Sequence, residues 1–410
     1  MPTAHDREIL RTLAKRVAEI AALPVQQERI ALWKAHNAMR SRRPMVLFFP
    51  EGAWRELLPD SELQCEDKFC RRLEHGLRQR IYQHEHNHGD HPIEATLHVA
   101  PVRRIGDYGL PIVEQRTEAL GAAHWDPPIK RPEDVRKLHI RRIEVDHDET
   151  ARQLAMAGEL VGDLLKVRMR GSLRWSSGLT WTLIELRGLD QMMLDMYDDP
   201  PLLHEIMTVL RDDALNEWET YEREGVLSLN NGPEDYVGSG GVGAIEELPA
   251  DGFDGKVRLR DLWALGESQE LVGVGPEMFY EFALQYQLPI LNRFGLVCYG
   301  CCEPLDQKFD LILKHIPRLR RVSVSPWCNR KIAAEKLRGR CIYSWKPNPV
   351  LVSGPTANWD EVERGTRETL RMARGCCVEI IMKDTHTLAH DPSRLDRWTE
   401  TVSRIVREES

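Results

Sequence analysis

The sequence contains no long apolar segment and no excess of positive charge. No stretch of its 410 residues approaches the roughly 18 uninterrupted apolar residues that a membrane-spanning helix requires. The segment from Met1 to Glu19 is charged and helical in pattern and lacks the apolar core of a signal peptide. The formal net charge of -8 gives no electrostatic basis for binding nucleic acid or an anionic membrane. We therefore expect a cytoplasmic protein that binds a small-molecule substrate, with neither nucleic acid nor a membrane as partner.

Nucleotide-binding motifs are also missing. The glycine-rich run at residues 238–243 follows a predicted strand, but no lysine follows it at the spacing of a phosphate-binding P-loop. No strand–glycine–helix unit of the dinucleotide-binding type occurs either. The glycine run instead predicts a flexible lid or a close approach of the backbone to a ligand.

Cysteine is present in an odd number, nine, within apolar runs or beside candidate site residues. A chain of this length can bury a large core without disulfides, so we expect free thiols or metal ligands. Four histidines within residues 84–91 lie beside Asn87 and Gly89, which predicts a solvated loop rather than a metal site. The basic group Arg318, Arg320 and Arg321 is likewise interpreted as a solvated face.

Alternating strand and helix patterns indicate an α/β fold. Residues 5–39 have helical periodicity broken at Pro24, which predicts an N-terminal helical extension over residues 1–40. Residues 41–410 contain eight strand-like runs, which favour a closed (β/α)8 TIM barrel over an open sheet. Residues 104–160 form a predicted insertion. The eight runs are residues 45–49, 97–101, 164–170, 225–231, 294–298, 321–325, 341–345 and 377–382.

The carboxyl ends of the strands in such a barrel share one mouth, where active sites are built. The residues expected there are Glu51, Arg170, Asn230, Asn231, Cys301, Cys302, Trp327, Lys346, Asp384 and His386. Of these and their neighbours, the predicted substrate-binding residues are Asn230, Asn231, Tyr236, Tyr299 and Trp327. The predicted catalytic residues are Glu51, Arg170, Lys346 and Asp384.

Three cysteines, Cys298, Cys301 and Cys302, lie at a predicted strand-to-helix turn next to Glu303. One interpretation is that all three are small buried hydrophobic residues. The other is that Cys301, Cys302 and Glu303, with His386 from the last strand end, hold a catalytic zinc that has one open position. A zinc ion there would lower the pKa of a bound thiol, alcohol or water.

The remaining polar residues allow a metal-independent reaction. Arg170 or Lys346 is suited to holding a carboxylate, and Asp384 or His386 to handling a proton, as in a decarboxylase of a small acid. Plainer interpretations are that Lys346 and Asp384 pair with each other, that His386 caps the last helix, and that Trp327 packs on the rim.

Three segments carry a resemblance to a known family: residues 179–200 with the helix start at Asp199 and Pro200, residues 275–297, and residues 299–305. Their order resembles the uroporphyrinogen decarboxylase superfamily over roughly residues 160–395. This group of (β/α)8 barrels includes methyltransferases that serve corrinoid proteins and is related to cobalamin-independent methionine synthase. Residues 299–305 are similar to the methyltransferases' His-x-Cys-Gly zinc motif, with Cys301 at the thiolate position and Tyr299 at the histidine position.

The resemblance implies a zinc-dependent methyltransferase that moves a methyl group between a small methylated compound and a corrinoid protein or thiol. Zinc and a corrinoid on a partner protein are the implied cofactors, and a homodimer is left open. The family's last cysteine ligand falls around residues 384–386. The decarboxylase's N-terminal Gln-Ala-Gly-Arg run is missing, which counts against tetrapyrrole decarboxylation. The alternatives are a metal-independent decarboxylase of a small carboxylic acid and a ligand-binding barrel without turnover.

Overall fold

The structure is a computed structural model that describes residues 2–116, 123–171 and 173–409. Its strands are β1 (Met45–Phe48), β2 (Thr96–Val99), β3 (Val102–Ile105), β4 (Glu114–Arg116), β5 (Ala123–Trp125), β6 (Ile143–Asp146), β7 (Lys166–Met169), β8 (Tyr236–Val237), β9 (Gly241–Val242), β10 (Trp263–Gly266), β11 (Leu296–Tyr299), β12 (Leu319–Val324), β13 (Ile342–Trp345) and β14 (Cys377–Met382). Its α-helices are α1 (Ala4–Ala21), α2 (Pro24–Asn37), α3 (Trp54–Leu57), α4 (Lys68–His86), α5 (His147–Val161), α6 (Thr180–Arg187), α7 (Leu189–Asp198), α8 (Pro200–Arg223), α9 (Pro276–Phe279), α10 (Gln285–Leu291), α11 (Phe309–His315), α12 (Arg330–Leu337), α13 (Val350–Ser353), α14 (Trp359–Met372) and α15 (Ser393–Glu409).

Six parallel strands form the central sheet, in the order β1-β14-β13-β12-β11-β10. Every residue of β1, β10, β11, β13 and β14 is buried, as expected for parallel strands covered on both faces. The C-terminal strand–helix alternation predicted from the sequence is therefore confirmed. Because the carboxyl ends of parallel strands lie on the same side, the residues after β1, β11, β12, β13 and β14 lie together at the carboxyl end of the sheet.

The predicted α/β class is confirmed among the described residues, whose largest sheet has six strands, whereas the closed (β/α)8 barrel is not confirmed. β1 and β10 are the edge strands, and β2 and β7 pair only with each other. At the free edge of β1, the backbone N–H of Asp90 donates to the Val46 carbonyl at 2.7 Å. The side chain of Asn87 donates to the Phe48 carbonyl at 3.0 Å. A connecting segment thus satisfies backbone groups that a further strand would otherwise pair.

A side chain likewise replaces a strand at the edge of β10. The predicted fourth strand, residues 225–231, is not a strand, whereas β10 was not predicted. The amide of Asn230 accepts from the Trp263 N–H at 2.9 Å and donates to the Trp263 carbonyl at 3.0 Å. Because a side-chain amide has the donor and acceptor of a peptide group, one asparagine completes the edge without a strand.

The histidine-rich segment at residues 84–91 was wrongly predicted to be a solvated loop. The helix α4 extends through His86, and Asn87, Asp90 and His91 are buried. Their side chains hydrogen-bond to backbone N–H and C=O groups of β1, which has no neighbouring strand on that side. These hydrogen bonds satisfy the polar groups and so allow their burial.

The predicted N-terminal helices are present as α1 and α2, which meet at Pro24. Residues Ile9 and Leu10 of α1 belong to an apolar cluster with Leu73 and Leu77 of α4. The C-terminal end of α2 reaches the central sheet. There the His36 ring lies 3.2 Å from the Glu379 carboxylate of β14, and Asn37 donates to the Val242 carbonyl at 2.8 Å.

The glycine-rich run is part of the interior rather than a lid. The strands β8 and β9 form a short antiparallel hairpin, and Gly241 and Gly243 are buried. Any Cβ at Gly241 would overlap the guanidinium group of Arg321. The predicted close backbone approach does occur, but its partner is this arginine.

The prediction that Arg318, Arg320 and Arg321 form a solvated face is wrong for Arg321. Arg321 is 1% exposed, whereas Arg320, its neighbour on β12, forms an ion pair at 2.8 Å with the half-exposed Glu247. Successive side chains of a strand point to opposite faces, so one of two adjacent arginines enters the interior.

The predicted insertion at residues 104–160 contains small antiparallel pairs. The strand β3 pairs with β6, and β4 pairs with β5. Residues 117–122 of this segment lie outside the described residues. Across the ranges that the structure describes, no helix is both long and apolar enough to cross a membrane.

Candidate active site

The turn after β11 places two thiols and a carboxylate at the carboxyl end of the sheet. Gly300 opens it with φ of +90°, and a Cβ there would lie 2.7 Å from Leu305. The Glu303 carboxylate accepts from the backbone N–H of Cys301 at 2.9 Å and of Ser268 at 3.0 Å. Burial raises the pKa of Glu303 despite these donors. Glu303 therefore fixes the turn that presents Cys301.

Cys301 is buried and Cys302 is half-buried, and their sulfur atoms lie 3.5 Å apart. The pKa of Cys301 is lowered because the Cys302 thiol donates to it, and the Ser239 hydroxyl, 3.6 Å away, adds a second donor. The pKa of Cys302 is raised because its proton is shared with Cys301 and because burial and the Asp384 carboxylate at 3.2 Å oppose its ionisation. The pair thus favours a thiolate on Cys301 and a thiol on Cys302.

Charged residues from β1 and β14 adjoin the thiols. Lys383 lies 3.3 Å from the Glu51 carboxylate, which also accepts from the Asp384 N–H at 2.8 Å. Burial lowers the pKa of Lys383, but Glu51 and Cys301 outweigh it and hold the ammonium group charged. Glu51 and Asp384 both have positive φ, 45° and 55°, a strained conformation for residues other than glycine. Such strain persists where the surroundings hold it, as at functional sites.

Lys346, at the end of β13, is buried behind this group. Its ammonium group donates to the Ser344 carbonyl at 3.3 Å and to the Ser344 hydroxyl, rather than to Asp384. Burial lowers its pKa to about 8, although the Glu379 carboxylate opposes the shift. The structure therefore brings together five predicted residues: Glu51, Cys301, Cys302, Lys346 and Asp384.

A cavity of about 590 Å³ opens on Cys302. The ring of Trp327 is 68% exposed there, so it faces the cavity rather than packing on a rim. The volume suits a small-molecule ligand, since such pockets measure about 300–1,000 Å³. The cavity is lined by Trp181, Gln269, Glu270, Val272, Cys302, Glu303, Pro304 and Trp327.

Other predicted residues line a different cavity of about 340 Å³, among them Arg170, Asn230 and Tyr236. Arg170 forms an ion pair with Asp235. Tyr236 has its hydroxyl 2.9 Å from the ring of His91. The predicted site residues are therefore not gathered around one cavity. Of the two thiols, Cys302 lines the cavity of about 590 Å³, and the buried Cys301 lies next to it, with its sulfur 3.5 Å from that of Cys302.

Three further predicted residues lie apart from the group around the thiols and from the two cavities. Tyr299 is fully buried, with its hydroxyl donating to Gln287 at 2.8 Å. Asn231 donates to the Leu248 carbonyl. His386 is exposed and lies against Gly52, where an added Cβ would be 2.9 Å from its Nδ1.

A zinc site requires three or four donors around one point. Within residues 2–116, 123–171 and 173–409, no group of three or more His, Cys, Asp or Glu side chains is arranged to hold a metal ion. Both oxygens of Glu303 accept backbone N–H groups, and His386 lies beside Gly52. The two thiols alone have a suitable arrangement, so the predicted ligand set is not assembled and zinc stays a prediction.

Sequence reasoning missed the acidic residues after β10. Glu267 is buried, accepts from the Ser176 hydroxyl at 2.9 Å, and has its pKa raised to about 8 by burial and by Glu270 and Glu303. Glu270, whose pKa is raised by burial, lines the cavity beside Cys302. The available signal was the apolar run at residues 262–266 ending in an acid, the same pattern that precedes Glu51.

The comparisons with known proteins find similarity among solved structures. No protein family matches the chain, and no curated protein sequence matches it. Among solved structures, the chain is similar to a methyltransferase from Methanosarcina mazei, with a TM-score of 0.48 and 10% sequence identity. The similarity covers 93% of this chain and 98% of that one. At this identity and TM-score it establishes neither the family of this chain nor its activity.

Proposed function

We propose that the protein is a methyltransferase that takes a methyl group from a small methylated compound onto the thiolate of Cys301. The observation that carries this proposal is the thiol pair at the carboxyl end of the sheet, where the Cys302 sulfur lies 3.5 Å from that of Cys301 and the Ser239 hydroxyl donates to Cys301 from 3.6 Å. A thiolate is the nucleophilic form of cysteine, and neighbouring donors and cations increase its population.

The reaction forms one bond and breaks one. The Cys301 sulfur attacks the methyl carbon, a sulfur–carbon bond forms, and the bond from the methyl carbon to the leaving atom breaks. The electron pair of the broken bond goes to the leaving group. Lys383 balances the negative charge of Cys301 before the attack, and Cys302 keeps its proton because its own pKa is raised. Onward transfer to a corrinoid protein or a thiol, and a zinc ion at the thiols, follow from the family resemblance and remain proposals.

The test is a single-turnover labelling experiment. The protein is incubated with a panel of donors carrying isotopically labelled methyl groups, and peptides are examined by mass spectrometry. We expect label on Cys301 and none in a Cys301→Ser variant. Cys376→Ser is the control, because Cys376 is half-buried, more exposed than Cys301, and donates to the Ala334 carbonyl away from the site. Label on other cysteines alone, or no label with any donor, contradicts the proposal.

The second candidate is decarboxylation of a small acid. It is favoured by two lysines near the thiols, the buried Lys346 and the half-buried Lys383, which offer positive charge for a carboxylate. Arg170, the other predicted carboxylate holder, lines the other cavity. Carbon dioxide release from a panel of aliphatic and aromatic acids, lost in Lys383→Met, would support this function. No release with the panel would count against it.

A further inference from the structure

The cavity beside Cys302 has apolar and aromatic walls. The rings of Trp181 and Trp327 are 49% and 68% exposed there, and Val272 and Pro304 supply further apolar surface. Tryptophan side chains are rarely this exposed, and two of them in one cavity indicate a contact surface for a ligand. The indole of Trp181 is supported by the ring of Trp125, at a centroid distance of 5.7 Å.

The charged groups of this cavity are all acidic. Among the described residues that line it, Glu270 and Glu303 are the charged ones, and neither a lysine nor an arginine is present. Both carboxylates lie close enough to Glu267 to raise its pKa. The cation that acts on Glu303 is Lys308, which is buried, donates to the Leu271 carbonyl at 2.8 Å and lies 5.0 Å from the ring of Phe279.

This combination discriminates between ligand classes. An anion would meet carboxylates without a countercharge, whereas a neutral apolar ligand would leave Glu270 desolvated. A cation surrounded by methyl groups suits both features, because indole faces attract cations and its methyl groups have apolar surface to contact. Glu270 keeps its position through a hydrogen bond from the Thr180 hydroxyl, 2.5 Å away.

We propose that this cavity binds the methylated onium group, an ammonium or sulfonium, of the methyl donor. Trp181 and Trp327 contact its methyl groups, and Glu270 supplies the opposite charge. This inference rests on the proposed methyl transfer at Cys301. The thiolate attacks a methyl carbon of the onium group, and the electron pair of the broken bond returns to the nitrogen or sulfur. The amine or sulfide leaves uncharged, so no proton has to be supplied to it.

The binding test compares choline with its neutral isostere, in which a quaternary carbon replaces the nitrogen. Calorimetry or tryptophan fluorescence at low ionic strength measures both affinities. We expect choline to bind at least about tenfold more tightly, because the two differ only in charge. Equal affinities, or no binding of choline, overturn the cation site.

Variants locate the binding site. We expect Trp327→Leu and Trp181→Leu to weaken choline binding at least about fivefold, with Trp327→Phe weakening it less because a ring face remains. The control is Trp175→Leu, since Trp175 is 48% exposed but lines the other cavity. Glu270→Gln keeps the hydrogen-bonding shape and should also weaken choline binding. A loss with Trp175→Leu and none with Trp327→Leu overturns the assignment.

Two further outcomes separate this inference from the proposed function. Choline that binds in a Trp327-dependent manner without labelling Cys301, while no other donor labels it, leaves the cation site standing and contradicts methyl transfer. Labelling of Cys301 by neutral donors, without choline binding, leaves methyl transfer standing and overturns the cation site.

Discussion

The sulfur atoms of Cys301 and Cys302 lie 3.5 Å apart, and this contact shifts the pKa values of the two thiols in opposite directions. The Cys302 thiol donates to the Asp384 carboxylate at 3.2 Å, which keeps the proton on Cys302, so the negative charge of the pair is favoured on Cys301. Two groups coupled in this way lose their protons in two separate steps. The first step belongs mainly to Cys301.

Alkylation should therefore modify Cys301 at lower pH than Cys302. A small alkylating reagent, applied over a series of pH values, is followed by mass spectrometry of each cysteine-containing peptide. In Cys302→Ala, the pKa of Cys301 should rise, because its largest hydrogen-bond donor is removed. Ser239→Ala should raise it less. Faster modification of Cys302 than of Cys301 at every pH would contradict the arrangement of the pair.

Metal content is the direct test of the predicted zinc. Protein purified without chelators is analysed for metals beside Cys301→Ser and Cys376→Ser. A site that uses the two thiols should contain zinc in the parent protein and in Cys376→Ser, and much less in Cys301→Ser, because thiolates are strong zinc ligands. Absence of zinc from all three preparations would contradict the predicted zinc site. Any thiolate chemistry would then depend on the protein's own residues.

Glu267 should make the protein less stable as the pH rises. Its pKa is raised from 4.5 to about 8 in the folded protein, so between these values the folded state holds a proton that the unfolded state has lost. The free energy of unfolding therefore falls with rising pH in this window and levels off above it. Glu267→Gln should reduce this decline by more than about 1 kcal/mol between about pH 5 and pH 8.

Urea unfolding at both pH values measures this effect. Glu277→Gln serves as the control because Glu277 is exposed. Glu270 and Glu303 have raised pKa values too, so part of the decline should remain in Glu267→Gln. An unchanged decline would show that Glu267 is ionised at the same pH in the folded and unfolded protein.

The parts of the fold that follow from local pattern were predictable. The runs that became β11 to β14 are rich in large and β-branched apolar residues, and the strand–helix alternation around them indicates a parallel sheet. Closure of the barrel was not predictable, because it depends on what covers the edges of β1 and β10. At the edge of β10, the Asn230 side chain pairs with Trp263 and the backbone N–H of Ser177 donates to the Leu265 carbonyl, and sequence periodicity does not report such contacts.

The site was predictable to the extent that it follows recognised strands. Cys301, Cys302, Lys346 and Asp384 come together because they follow neighbouring strands of one parallel sheet. Glu267 was missed because the fourth strand was assigned to residues 225–231, so the apolar run that forms β10 was not recognised as a strand. The orientation of the Glu303 side chain was not predictable either. Its oxygens accept hydrogen bonds from backbone N–H groups that lie beside it only in the folded turn.

The buried ion pair between Arg321 and Glu379 should dominate the stability of the sheet interior. Arg321 lies 2.8 Å from the Glu379 carboxylate, with side-chain exposures of 2% and 0%. Burial alone would raise the pKa of Glu379, but Arg321 and His36 outweigh it and keep the carboxylate charged. Removing one partner leaves a buried charge less compensated, which typically costs about 3–5 kcal/mol.

Arg321→Met should therefore lower the free energy of unfolding by about 3 kcal/mol or more, measured by urea denaturation at neutral pH. The control is Lys336→Met, which breaks the exposed ion pair with Asp310, 2.7 Å long, and should cost less than about 1 kcal/mol. Glu379→Gln should also destabilise the protein, because Arg321 and the His36 ring then lose their carboxylate partner. Equal losses from Arg321→Met and Lys336→Met would mean that the interior pair is solvated in solution, and that burial of Arg321 beside the glycine-rich run does not hold the sheet together.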